Sequence, residues 1–201
     1  MSKPILLVIA GCNGSGKSSF SNILAAENFQ PFDYDLHYLE HYHNLFDSDI
    51  RDTMAHNMAF SDLEENIQNA ISNKSNFCYE TNFNSTPLYW PRIFNQNNFD
   101  LRLIYLCLYS IEEAQRRVDI RVENGGHFVS KSEIKKRYFE GFENLNSHFS
   151  FFTKVDLFDT SEYGKPPSHI LSIENNSLIK TAALPKYLQT LIPKILEIKQ
   201  I

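Results

Sequence analysis

Residues 10 to 20 read AGCNGSGKSSF and follow the apolar run ILLVIA of residues 5 to 10. Gly11, four residues, then Gly16, Lys17 and Ser18 fit G-x-x-x-x-G-K-[ST], the spacing of a loop built to hold polyphosphate between a strand and a helix. Small residues let successive backbone N–H groups curl round an anion, and the helix that follows adds its unpaired amides and the positive end of its dipole. Gly11, Asn13, Gly14, Ser15, Gly16, Lys17, Ser18 and Ser19 are therefore the expected nucleotide-binding residues. Lys17 would bridge the outer phosphates and the Ser18 hydroxyl would ligate Mg²⁺. The expected ligand is a nucleoside triphosphate, ATP or GTP. No N-K-x-D run is present, which argues against a guanine-reading switch protein.

Three further polar clusters could act on that phosphate. Asp33 and Asp35 in FDYD can accept a proton from an attacking hydroxyl or hold Mg²⁺ through water; the alternative for Asp35, compatible with that role, is to cap the helical segment LHYLEHYHNLF. Were the two on one strand, they would share a face and repel. Glu80, Thr81 and Asn82 follow an apolar run in CYETNF, where they can bind an acceptor or, for Glu80, order a metal ion; spacing leaves both readings open. Arg117 and Arg121 stand at i and i+4, beside the apolar stripe of Ile111, Ala114, Val118 and Val122. Gly125 and Gly126 should end that helix, His127 lies in the connection, and Lys135, Lys136 and Arg137 follow on the next helix. Two helices joined by a short glycine-bearing loop and carrying cations suit a phosphoryl-transfer lid, because Arg neutralises charge spread over the moving group. His37, His41 and His43 lack the Glu of H-E-x-x-H, so they are expected as helix histidines and not as a metal site.

Positioning these clusters requires strands that end beside one another. ILLVIA (5–10), NFCYE (76–80), LRLIYLCL (101–108) and VDLFDT (155–160) read as buried strands of a parallel sheet, with NFQPFD (28–33) a weaker fifth strand. Ser61 with Glu64, Ser110 with Glu113, and Ser130 with Glu133 have the S-x-x-E spacing of helix starts. The alternation predicts an α/β fold, a doubly wound and mainly parallel sheet with helices on both faces. SHILSIENNSLIKTA and LPKYLQTLIPKIL predict a C-terminal β-hairpin and closing helix over 168–201, with Pro185 in the first turn and Pro193 kinking or ending it. No linker divides the chain, so 1–201 is expected as a single domain with a lid over 111–146.

A formal charge of −5 without a long basic run argues against nucleic acid or an anionic membrane as the main partner. The first apolar run is too short for a signal peptide or a span, which predicts a cytoplasmic protein. Cys12, Cys78 and Cys107 lack metal-ligand spacing and are expected as reduced thiols.

The order of AGCNGSGKSSF, FDYD, CYETNF, RVDIRVENGGHFVSKSEIKKRY and LFDTS resembles the zeta toxin family of P-loop kinases, its short single-domain branch in particular, over residues 5 to about 160. The resemblance implies ATP- or GTP-dependent phosphorylation of a small-molecule hydroxyl, in the best-known members that of UDP-N-acetylglucosamine, and an antitoxin protein as partner. By motif, Asp35 is the base, Lys17, Arg117 and Arg121 stabilise the transferring charge, and Glu80 and Thr81 hold the acceptor. Two departures stand out. His127 occupies the position of a second lid Arg, with Arg137 as its substitute, and ETNF replaces the more usual E-T-T-L, so the acceptor need not be a UDP-sugar. Rival readings are another small-molecule or nucleoside kinase, and a non-catalytic nucleotide-gated binding protein.

Overall fold

The computed structural model describes residues 3–25, 29–126 and 128–198, with the side chains of Lys180 and Thr181 excluded. A six-stranded sheet runs through it in the order β2-β1-β3-β4-β5-β6. The strands are β1 (Ile5–Ala10), β2 (Phe77–Thr81), β3 (Asp100–Cys107), β4 (Lys154–Asp159), β5 (Ser168–Glu174) and β6 (Ser177–Thr181). The first four pair in parallel, and the last two add an antiparallel hairpin at the far edge. Its turn places Asn175 and Asn176 at positive φ, which Asn tolerates better than most residues.

Helices cover both faces. They are α1 (Lys17–Leu24), α2 (Tyr34–Asn44), α3 (Arg51–Asn73), α4 (Tyr89–Gln96), α5 (Ile111–Glu123), α6 (Lys131–His148), α7 (Leu188–Leu191) and α8 (Pro193–Leu196). Alternation along β1 sorts its side chains between two cores. Leu6 and Val8 join the larger one with Leu63 and Ile67 of α3, Phe94 of α4, Val118 of α5 and Phe142 of α6. Leu7 and Ile9 point the other way, into a smaller cluster with Cys78, Ile104, Leu106 and Ala25. A strand buried on both faces must be apolar throughout, which is why ILLVIA shows no polar alternation.

The chain leaves β1, visits β2 on one side and β3 on the other. The loop after β1 therefore lies at the point where strand order reverses, the place where parallel α/β sheets bind ligands.

Four local expectations differ from the structure. Asn28 lies outside the described residues, and of the rest of NFQPFD only Phe32 pairs, as a single parallel bridge to Tyr79; Pro31 has no N–H to extend it. Asp33 and Asp35 consequently do not share a strand: Asp33 caps α2 and Asp35 lies in its first turn. Ser61 and Glu64 sit in the middle of the 23-residue α3, because Ala55, Ala59, Leu63, Ile67 and Ala70 form one continuous buried stripe. The closing helix is two single turns broken at Ile192, ahead of Pro193, and Pro185 lies before the first of them. Ser110 and Ser130 do cap α5 and α6, accepting from the backbone N–H groups of Glu113 and Glu133 at 3.2 Å each.

Candidate active site

The phosphate loop joins β1 to α1. Gly11, Gly14 and Gly16 all have positive φ. At Gly11 a Cβ would stand 2.5 Å from Ser15 Oγ and 2.7 Å from the Leu106 carbonyl oxygen. At Gly14 it would stand 2.8 Å from the Ala114 carbonyl oxygen, where the loop packs against α5. The glycines thus permit both the turn and the close approach of loop to helix. Asn13 and Ser15 are buried, and Ser15 Oγ has no hydrogen-bond partner among the described residues. Ser19 lies beyond Lys17 and Ser18 in the first turn of α1, lining the same cavity.

Lys17 Nζ donates to the Gly11 carbonyl at 2.7 Å, the Cys12 carbonyl at 3.2 Å and Asn82 Oδ1 at 3.0 Å. Burial lowers its pKa, opposed chiefly by the charge of Glu80. The Ser18 hydroxyl donates to Glu80 Oε2 at 3.0 Å. Burial raises the Glu80 carboxyl, and repulsion from Asp33 adds to it. A P-loop lysine, a P-loop hydroxyl and a carboxylate at the end of the adjacent strand form a donor set that fits a triphosphate with Mg²⁺. The unpaired Ser15 hydroxyl and the cradle that only glycine permits agree with that fit.

The end of β2 is fastened to the loop. Gly11 N–H donates to the Thr81 carbonyl at 3.2 Å, and Thr81 Oγ1 accepts from Phe83 N–H at 3.1 Å. Phe83 is fully buried at φ 57°, a costly conformation for a bulky residue. Its ring packs on Tyr105 and Phe152, and its carbonyl accepts from Asn144 Nδ2 at 3.0 Å. This sharp turn brings Asn82 onto Lys17.

Asp33 Oδ1 accepts from the backbone N–H groups of Asp35 (3.0 Å) and Leu36 (3.3 Å), so Asp33 is the cap. Asp35 keeps its carboxylate for the cavity, with Oδ2 3.8 Å from Arg121 Nη1. The two arginines of α5 differ. Arg117 is 9% exposed and is held by Glu113 (2.6 Å) while donating to the carbonyls of Gly14 (3.3 Å), Thr160 (2.9 Å) and Ser161 (3.0 Å). It ties the phosphate loop to the end of β4. Arg121 is 37% exposed and faces Asp35 across the cavity. Gly126 packs on Arg121, since a Cβ there would lie 2.5 Å from Arg121 Cγ. Arg137 donates to Glu133 at 2.9 Å and to Asn13 Oδ1 of the phosphate loop at 3.3 Å. His127 lies outside the described residues.

One cavity of about 1040 Å³ takes in Lys17, Ser18, Asp33, Asp35, Arg117 and Arg121, together with Glu80, Thr81 and Asn82. It also has an aromatic wall unforeseen from the sequence: Tyr34, Phe60, Tyr79, Tyr89 and Trp90. The dipeptide Tyr89-Trp90 after the turn residues NSTP was the available signal. Glu113, which the sequence marks only as a helix-start residue, orients Arg117; Arg116 and Arg117 bring its pKa down to about 2. His37 and His41 both reach Asp62 Oδ2, at 3.0 and 2.7 Å, bracing α2 on α3. No group of three or more metal-ligating side chains suited to an ion occurs among the described residues. Nor, among them, is any helix long and apolar enough to cross a membrane. The three cysteines are buried free thiols, and burial pushes Cys12 up to about 11.

A family model described as Zeta toxin matches residues 1–162. Among solved structures, the chain is similar to a protein of the Pnkp1/Rnl/Hen1 RNA repair complex, at 22% identity and TM-score 0.56 over 73% of this chain and 47% of that one. It is similar to a protein of the PezAT chromosomal toxin–antitoxin system of Streptococcus pneumoniae, at 17% identity and TM-score 0.63 over 80% of this chain and 69% of that one. A candidate kinase from Chloroflexus aurantiacus aligns at 18% identity and TM-score 0.55 over 68% of this chain and 76% of that one. The chain spans about half the length of the RNA-repair protein, and these identities show a shared fold alone. No curated protein gives a significant sequence match.

Proposed function

The chain belongs to the zeta toxin family, a P-loop kinase-type family, and from that premise we propose that it transfers the γ-phosphoryl group of ATP or GTP to a hydroxyl of a small acceptor. The observation that carries this reading is the shared cavity: the phosphate loop and the carboxylate of Asp35 open into one space, which Arg121 also lines, 3.8 Å from Asp35. Asp35 takes the proton of the acceptor hydroxyl. The acceptor oxygen bonds to the γ-phosphorus as the bond to the bridging oxygen breaks and ADP or GDP leaves. Lys17 and Arg121 would stabilise the charge that develops on the transferring group. Ser18 and Glu80 would hold Mg²⁺, which supplies charge neutralisation at the phosphates; the 3.0 Å contact between them favours metal ordering over acceptor binding for Glu80. Asn82 and Thr81 shape the junction of loop and acceptor space.

Within this reading the chain is one kinase domain whose segment 111–146 acts as the lid. The Arg137 contact with Asn13 favours Arg137 for the second lid role. The setting is cytoplasmic, and an antitoxin protein is the partner that the family suggests. Acceptor-stimulated release of ADP tests the reading. It should depend on Lys17 and on Asp35. Slow hydrolysis indifferent to every acceptor would favour a nucleotide-gated binding protein instead.

A further inference from the structure

The cavity has two walls of opposite character. Its cations, Lys17, Arg117, Arg121 and Lys165, come from the phosphate loop, from α5 and from the segment between β4 and β5. The wall built by α2, α3, β2 and the segment leading into α4 contributes no Lys or Arg among the described residues. Its charged members are Asp33, Asp35 and Glu80. Phosphate is recognised by arginine, by lysine or by clustered backbone N–H groups at helix starts. This wall has two helix starts, and most of their first-turn amides are already engaged within the protein. In α2 the N–H groups of Asp35 and Leu36 go to Asp33 Oδ1, and that of His37 goes to the Asp33 carbonyl. In α4 the Tyr89 N–H goes to the Thr86 carbonyl, Pro91 has none, and the Arg92 N–H goes to the Leu88 carbonyl.

What this wall offers instead is ring surface. Trp90 lies 4.7 Å from Tyr89 and 6.2 Å from Phe60, centroid to centroid, and Tyr89 and Phe60 are 56% and 44% exposed. Asn84 and Thr86 add neutral groups able to hydrogen-bond hydroxyls. Rings of this kind stack on planar bases and on the apolar faces of sugars. A phosphate or diphosphate on the acceptor would be desolvated beside Asp33 and Asp35, on a wall that brings no cation of its own, next to a triphosphate already in the loop.

Resting on the phosphotransferase reading above, we propose that the acceptor is a phosphate-free sugar or nucleoside that presents a planar or apolar ring to Trp90, and not a nucleotide or nucleotide sugar.

Trp90 is the only tryptophan in the chain, so its emission reports on this wall directly. The loop is first filled with Mg²⁺ and a non-hydrolysable ATP analogue. The protein is then titrated with matched pairs: uridine against uridine 5′-monophosphate, and N-acetylglucosamine against its 1-phosphate and UDP-N-acetylglucosamine. A phosphate-free member should perturb Trp90 and bind at least about tenfold tighter than its phosphorylated counterpart, with the gap narrowing as salt screens the repulsion. Phe60→Lys, which puts a cation on the wall at an exposed position, should shrink the gap. Phosphorylated members that bind as tightly or tighter overturn the proposal. So does a gap that Phe60→Lys leaves unchanged, and so does silence of Trp90 towards every phosphate-free member. Affinity for the ATP analogue is measured separately: if the analogue fails to bind, the phosphotransferase reading falls and this proposal with it, whereas normal analogue binding confines a failure to the acceptor class.

Discussion

The Ser18 hydroxyl donates to Glu80 Oε2 at 3.0 Å, joining the phosphate loop to the end of a strand 62 residues further along the chain. A hydroxyl and a carboxylate in contact are a pair that a divalent cation can share. Glu80→Gln keeps the hydrogen-bonding oxygen and loses the charge. The Mg²⁺ concentration for half-maximal turnover should rise about tenfold or more, while metal-free nucleotide binding stays near that of the parent. Titrating Mg²⁺ at saturating nucleotide checks this. An unchanged Mg²⁺ requirement would return Glu80 to the acceptor side.

Arg117 and Arg121 should separate stability from catalysis. Arg117 is buried, with its donors on Glu113 and on three backbone carbonyls, so Arg117→Ala should cost about 3 kcal/mol of stability. Arg121→Ala should leave the free energy of urea unfolding within about 0.5 kcal/mol of the parent and lower kcat about a hundredfold, with nucleotide affinity little changed. Gly126→Ala, which displaces the Arg121 stem, should lower kcat in the same direction. Paired unfolding and kinetic measurements decide.

The two aspartates divide along the line between cap and base. Asp33→Ala removes the oxygen that accepts two backbone N–H groups and should cost about 1 kcal/mol. Asp35→Asn should leave stability intact and abolish transfer, since Asn cannot accept a proton at neutral pH. Transfer at the parent rate by Asp35→Asn would remove Asp35 as the base.

Glu113 predicts an acid limb in stability. Its carboxyl is held down to about 2, from an ordinary 4.5, by hydrogen bonds and charge from Arg116 and Arg117. A lowered carboxylate pKa stabilises the fold above the unfolded value, and that contribution fades as pH falls from 4.5 towards 2. Glu113→Gln should therefore be less stable than the parent at neutral pH, and the difference should shrink across that window. Denaturant unfolding of both proteins between pH 7 and about pH 2 measures it.

What was legible in the sequence was set by local chemistry. The phosphate loop, the four parallel strands and the serine caps of α5 and α6 each follow from a short pattern whose meaning does not depend on distant residues. Where sequence pattern and structure part, a longer-range decision is involved. Ser61 and Glu64 carry a start signal that the buried stripe of α3 overrides. Phe32 could have opened a strand, but Pro31 precedes it and Asp33 turns the chain into α2. That same turn made Asp33 the cap and released Asp35. Arg117 and Arg121 look equivalent at i and i+4; only the packing of α5 on the phosphate loop buries one and leaves the other facing Asp35. The aromatic wall is assembled from α2, α3, β2 and α4, so no single window of sequence contains it.

The central claim is that this cavity moves phosphate to an acceptor other than water. ATP labelled in its γ-phosphoryl group, incubated with the protein, Mg²⁺ and a deproteinised pool of small metabolites, tests it most directly. The account predicts label in an organic phosphate ester, formed by the parent chain and lost in Lys17→Ala and Asp35→Asn proteins that remain folded. Label confined to inorganic phosphate, or an ester that forms equally well without Lys17, would contradict it.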